Sequence, residues 1–184
     1  MDTQWPRWEV FKQDTPKKPH QAVGTVHATD AEHALLTARN VFARRPNAVS
    51  LWVVPASSVF SVTAEELADS SPQAQFPASE PQTYLVFCKT GHRRSMAFVD
   101  HIGEVEAANS RDALHKALTT FETENAVTWW LVPESAVTRS DDADIESWFA
   151  PAKTKTYKQQ SAYGLVGTHP GEAKRSADEE KAHG

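Results

Sequence analysis

Cysteine is almost missing from this chain: Cys88 is the single one among 184 residues. An internal disulfide is thereby excluded, as is any thiolate-rich zinc or iron–sulfur site. Glycine is scarce, with seven scattered positions, and none builds the GxGxxG or GxxxxGK turn that cradles a phosphate. No apolar run approaches the length of about 18 residues that a membrane-spanning helix needs. Residues 1–11 have neither a basic start nor an apolar core of signal-peptide length. Basic residues do not dominate either. Nineteen Lys and Arg against 24 Asp and Glu leave a net charge of -5, the opposite of a uniformly basic nucleic-acid binder. These absences predict a soluble, cytoplasmic protein with no nucleic-acid or membrane partner, built as one ordinary domain or two small ones.

The residues that are present are unevenly spread. All six tryptophans lie at or before Trp148, and no Phe, Trp or Tyr follows Tyr163. Residues 1–150 carry the acidic excess, while 151–184 are weakly basic. The segment 165–184 cannot bury enough apolar area to offset its ordering entropy and is expected to be disordered.

An internal repeat organises the rest. Val10-Phe11 returns as Val86-Phe87, 76 residues later. Val23-Gly24-Thr25-Val26-His27-Ala28 returns as Ile102-Gly103-Glu104-Val105-Glu106-Ala107, at 79. Val49-Ser50-Leu51-Trp52-Val53-Val54-Pro55 returns as Val127-Thr128-Trp129-Trp130-Leu131-Val132-Pro133, at 78. Three matches in the same order imply one unit built twice.

Each copy reads as strand, strand, helix, strand. Trp8–Lys12 is rich in β-formers, and Asp14–Pro19 reads as a turn because two prolines remove donors. A glycine at the same place in both second strands, Gly24 and Gly103, suggests a bulge or a close backbone approach. Thr29 or Asp30 caps the first helix, and Ala34, Leu35, Ala38, Val41 and Phe42 form its apolar stripe. Arg44 and Arg45 suit its last turn before Pro46 ends it. Asn109-Ser110-Arg111-Asp112 starts the second helix, with Ala113, Leu114, Ala117, Leu118 and Phe121 as its stripe. Val49–Val54 and Val127–Val132 read as strands buried on both faces. The expected fold is α+β, with two tandem units, each packing a helix on an antiparallel sheet, joined as a pseudo-dimer. The expected divisions are 1–67, a proline-rich linker at 68–82, a diverged second unit at 83–150, a tail at 151–164 and the disordered end.

A search for chemistry returns little. Thr90-Gly91-His92-Arg93-Arg94 reads as a solvated hairpin loop, and Cys88 as a small buried hydrophobe in a strand. No two of the eight histidines are three or four residues apart, so no HExxH helix exists. Asp112 and His115 are one turn apart, but a di-iron helix needs a second such helix with further glutamates, and copy one has no histidine in register. The acidic run Asp141, Asp142, Asp144, Glu146 reads as a solvated loop or helix start. No catalytic, metal or cofactor-binding residues are therefore expected.

The words Trp5-Pro6-Arg7-Trp8-Glu9-Val10-Phe11, then Val23–Ala28 with Asp30, Ala34, Leu35, Ala38 and Arg39, then Arg44-Arg45 and Ser50–Ser57, resemble the phenylacetate-degradation B family. Its usual pattern runs W-P-x-aromatic-E-V-F, V-G-S-L-H-A-x-D, A-L-x-x-A-R and S-x-W-V-V-x-A-S. The likeness is dense over 5–59, weaker over 83–149, and returns at Thr154–Lys158 and Tyr163. It implies a non-catalytic subunit of a multicomponent phenylacetyl-CoA epoxidase. The implied partners are a di-iron catalytic subunit and its structural homologue, with a flavin and iron–sulfur reductase supplying electrons. The usual member has one copy of the unit, so the second copy here is a departure. It removes the need for a homodimer of such chains, while its lost Trp-Pro, lost Arg pair and Glu106 in place of His27 leave open whether both halves hold one partner.

Trp5, Trp8, Arg44, Arg45 and Tyr157 are the candidate contact residues, since Arg, Trp and Tyr dominate interface hot spots. The competing reading puts Trp8 and Trp52 in the core and the arginines in helix C-terminal pairing. An independent enzyme or ligand-binding domain using the groove between the copies, or a regulatory module, is the alternative function.

Overall fold

Local signals decide where each element starts. The structure, a computed structural model, describes residues 4–43, 47–69, 80–91 and 99–153. The first repeat opens with β1 (Arg7–Gln13) and β2 (Gln21–His27), an antiparallel pair. Helix α1 (Ala31–Phe42) follows, capped by Asp30, whose carboxylate accepts from the His33 backbone N–H at 2.8 Å. Next come β3 (Ser50–Pro55) and β4 (Phe60–Thr63), then a short helix α2 (Ala64–Asp69). The second repeat runs β5 (Gln82–Thr90), β6 (Asp100–Ala107), α3 (Ser110–Thr120), β7 (Ala126–Pro133), β8 (Thr138–Arg139) and α4 (Ile145–Lys153). The fold is α+β, and every strand pairing among the described residues is antiparallel.

The two glycines do both things expected of them. Val10 pairs with Gly24 and Phe11 with Ala22, so Val23 is an extra residue that bulges β2. The same slip occurs at Val86 and Phe87 opposite Gly103 and His101. Gly24 and Gly103 have φ of +144° and +155°, where an L side chain is strained. A Cβ on Gly24 would stand 2.9 Å from Phe42 Cζ, and one on Gly103 2.5 Å from Phe121 Cζ. The bulge thus makes room for the aromatic ring that ends each helix's apolar stripe.

Those stripes are narrower than the spacing suggests. Ala34, Leu35 and Ala38 are buried, as are Ala113, Leu114 and Ala117. Val41 is 57% exposed and Leu118 41% exposed, so neither belongs to the core-facing side. Their positions lie on the stripe's flank, where an apolar residue satisfies the period without reaching the sheet. Helix α1 also ends at Phe42 with Ala43 as its cap, before the Arg pair rather than through it.

The largest departure from the expected unit is a fourth strand in each repeat. β4 leaves its own repeat and pairs with β7 of the second, while β8 returns to β3 of the first. The sheet order is β4-β7-β5-β6-β2-β1-β3-β8. A two-residue strand such as β8 offers no hydrophobic period of its own to read; its place is set by its partner. The linker expected at 68–82 begins inside α2 and ends at the first residue of β5, and residues 70–79 lie outside the described residues.

Among the described residues, three apolar clusters form the core. One side of the first repeat's sheet packs Trp8, Val10, Leu51 and Val53 under α1, with Phe149 from α4 added. The corresponding side of the second packs Tyr84, Val86, Cys88, Trp129 and Leu131 under α3. The opposite sides share a third cluster of Phe11, Val54, Leu85, Phe87 and Val132. Phe11 and Phe87 stack with centroids 4.3 Å apart. Their strands are separated by β2 and β6, which in a flat sheet would hold them about 14 Å apart. The sheet therefore folds over between β2 and β6, and β1, β3, β5 and β7 are covered on both sides. That explains the near-continuous apolar run of Leu51, Val53 and Val54, all fully buried.

Candidate functional site

The tryptophan-rich start of the chain is anchored, residue by residue, to the end of β2. The Ala28 N–H donates to the Pro6 carbonyl at 3.1 Å, and Trp8 Nε1 donates to the Ala28 carbonyl at 3.1 Å. His27 Nδ1 lies 2.9 Å from the Trp5 carbonyl, which can only accept, so the imidazole donates. Trp5 then meets His33 of α1 edge-on at 5.2 Å. These contacts explain why the tryptophan-proline word and the Val-His-Ala word occur together: one segment is tied to the other.

The outcome separates two candidates that the sequence treats alike. Trp8 is 8% exposed and belongs to the core, so its indole has no face for a partner; its one polar atom is spent on Ala28. Trp5 is 53% exposed and is held out at the surface. Arg44, Arg45 and Tyr157 lie outside the described residues. Copy two replaces the arrangement. Tyr84 stands where Trp8 would be, buried, with Gln82 Nε2 donating to its hydroxyl at 3.0 Å.

Glu9, next to Trp8, is a buried carboxylate. Burial pushes its pKa up, opposed by Arg7, whose Nε is 3.5 Å away. Cys88 is buried under α3, and burial pushes its thiol up, with a hydrogen bond to Thr123 working against it. A thiol pushed in that direction is less ionised at neutral pH than a free one. Among the described residues, no three His, Cys, Asp or Glu side chains gather as a metal site would require. Asp112 is used differently: it accepts from the Ala108 backbone and pairs with Lys116 at 2.9 Å, serving the start of α3.

A groove between residues of the two repeats does exist, with a volume of about 320 Å³. His20, Ser50 and Trp52 line it from the first repeat, Arg139, Ser140 and Asp142 from the second. Its polar groups are largely turned on one another. His20 Nε2 meets Ser50 Oγ at 3.0 Å, the Ser140 hydroxyl accepts from the Leu51 N–H, and Arg139 pairs with Glu134 at 3.0 Å. His20 also stacks on Trp52 at 3.5 Å, and the Arg139 guanidinium lies over the same indole at 5.1 Å. Counting histidines by metal spacing misses this cluster, because its members come together only through tertiary contact.

Against known proteins, the family model described as phenylacetic acid degradation B matches twice, at residues 4–79 and 80–170. A 62-residue stretch is 40% identical to the B component of the 1,2-phenylacetyl-CoA epoxidase of Escherichia coli (strain K12), covering 34% of this chain and 65% of that protein. No solved structure matches.

Proposed function

The chain belongs to the phenylacetic acid degradation B family, and on that premise we propose that it is a non-catalytic assembly subunit of a multicomponent CoA-thioester monooxygenase. In this reading a separate di-iron subunit carries the chemistry, its structural homologue supports it, and a reductase supplies electrons. This chain holds the oxygenase subunits in place. The relative's name, that of a phenylacetyl-CoA epoxidase component, supports the substrate class. The two repeats act as an intramolecular pseudo-dimer, divided at about the boundaries 1–67 and 83–150, so no second copy of the chain is needed.

The observation that carries the reading is Trp5. A large aromatic left 53% exposed would ordinarily fold back onto apolar surface, yet here its backbone is clamped by His27 and its ring braced by His33. A pre-ordered, exposed indole is the typical anchor of an interface, since little side-chain entropy remains to be lost on binding. Arg44, Arg45 and Tyr157 are proposed to contact the same partner. Trp8 supports them from beneath.

The test is a binding measurement between the purified chain and the co-expressed di-iron subunit and homologue. Trp5→Ala is expected to weaken binding roughly 30-fold, the effect of losing a hot spot of about 2 kcal/mol. Unchanged affinity would remove Trp5 from the interface. A wild-type chain that binds neither subunit, or that turns over substrate alone, would overturn the reading itself.

A further inference from the structure

The backbones of β2 and β6 meet at one short seam, and it is nearly symmetric. Gln21 and Asp100 pair across it, with Gln21 Nε2 donating to Asp100 Oδ1 at 2.7 Å. On one side the Ala22 N–H donates to the Val99 carbonyl at 3.0 Å; on the other the His101 N–H donates to the His20 carbonyl at 2.8 Å. In the repeat, His20 corresponds to Val99 and Ala22 to His101, as the 79-residue offset requires. The fold therefore builds this corner twice. Once it uses a valine and an alanine, and once it uses two histidines.

The histidine side is crowded. His20 is 7% exposed, stacked on Trp52 and bonded to Ser50. His101 meets Trp52 at 5.5 Å and Phe87 at 5.1 Å; its ring bonds the Gly103 backbone, while Nε2 is buried with no partner among the described residues. A proton added there would be a buried N–H without an acceptor. Charged groups around the pair come from several elements. Arg139 of β8 lies over Trp52 but is tied to Glu134, and Glu104 and Asp100 belong to β6. Asp142 lines the same groove, Cys88 of β5 faces Asp100 in register, and Lys12 of β1, opposite Gln21, is neutralised by Asp14 at 2.8 Å.

We propose that His20 and His101 form an acid-sensitive latch on the β2–β6 seam: protonating them opens the seam and loosens one repeat from the other. The direction of titration agrees. Burial, helped by His101 and Arg139, pushes the His20 pKa down to about 3. Burial and Arg139 lower that of His101, although Glu104 and the Gly103 bond oppose them. An unfolded histidine takes its proton near pH 6.5. The seam is therefore fully closed above about pH 6.5 and loses stability as the pH falls from there towards 3. At about pH 5 His20 alone multiplies the opening constant by roughly 30.

Hydrogen exchange at the amides of positions 22 and 101, corrected for intrinsic rates, reads the seam directly in the full-length chain. Protection should fall between about pH 7 and pH 5 in the wild type, by about the 30-fold that His20 contributes or more. It should stay level in the double variant His20→Val, His101→Ala, which installs the residues that the other side of the seam already uses. His20→Gln, uncharged at every pH, gives a second comparison should the double variant fold poorly. Protection that does not change with pH in the wild type would overturn the proposal, as would the same loss in wild type and variants.

Discussion

At the scale of single residues, Gly24 and Gly103 show how a small absence sets a large position. Both have a φ that other residues avoid, and both have a phenylalanine ring where a methyl would go. Gly103→Ala should therefore cost about 2 kcal/mol or more, and Gly24→Ala somewhat less, because Phe42 stands farther off. Urea unfolding of the two variants checks the order; equal or negligible losses would mean that the rings move aside freely. Glu9 gives a prediction of pH dependence. Its folded pKa is raised, first by burial, so the unfolded state ionises before the folded one. Stability from this group is present below the ordinary carboxylate pKa and is lost as the pH rises through the folded value. Glu9→Gln should thus match the wild type in acid and surpass it towards neutral pH, seen as a gap in unfolding midpoints that widens with pH. A gap that narrows would show that the pairing with Arg7 outweighs burial.

At the scale of elements, the helices are the most legible part of the sequence because their signals are local. Asn109 caps α3 by accepting from both the Arg111 and Asp112 amides, at 3.1 and 3.0 Å. Asn109→Ala should cost about 1 kcal/mol in thermal or urea unfolding, and a neutral result would mean that packing of Ala113, Leu114 and Ala117 alone holds the helix. The bulges are legible for the same reason: Gly24 and Gly103 stand at matching places in two copies. The exchanged strands are not. Thr138–Arg139 has no period to detect, and Phe60–Thr63 is only four residues long and finds its partner, β7, in the other repeat. Val41 and Leu118 mislead because a helical period marks a stripe without saying how wide the sheet beneath it is. The interface candidates divide along similar lines. Trp5 and Trp8 differ by three positions in sequence, but Trp8 lies in β1 under α1 while Trp5 precedes the strand and is held by His27 and His33, contacts that exist only in the folded chain. The histidine pair is hidden for a plainer reason: His20 and His101 belong to different repeats, and the comparison of repeats pairs each with an apolar residue.

At the scale of the whole molecule, the exchange of β4 and β8 makes each repeat depend on the other. β7 loses the partner on its outer side without β4, and β3 loses Arg139, Thr138 and Ser140 without β8. The shared cluster of Phe11, Phe87, Val54 and Val132 would also be exposed in a lone repeat. Two fragments, 1–79 and 80–184, should therefore be unfolded or aggregated when made separately and should reassemble one to one when co-expressed, as size-exclusion chromatography with light scattering would reveal. A stable monomeric fragment would contradict this dependence. The same arrangement bears on the proposed role as an assembly subunit. A chain that already contains both repeats presents two related but diverged faces, with Trp5 on the first and no tryptophan-proline counterpart on the second. The most direct test is the native mass of the complex formed when this chain is co-expressed with the di-iron oxygenase subunit and its homologue. The expected result is one assembly containing both oxygenase subunits and a single copy of this chain at each bridging position, its affinity lowered by Trp5→Ala. A chain that elutes by itself, or that joins only as a tight homodimer, would contradict it.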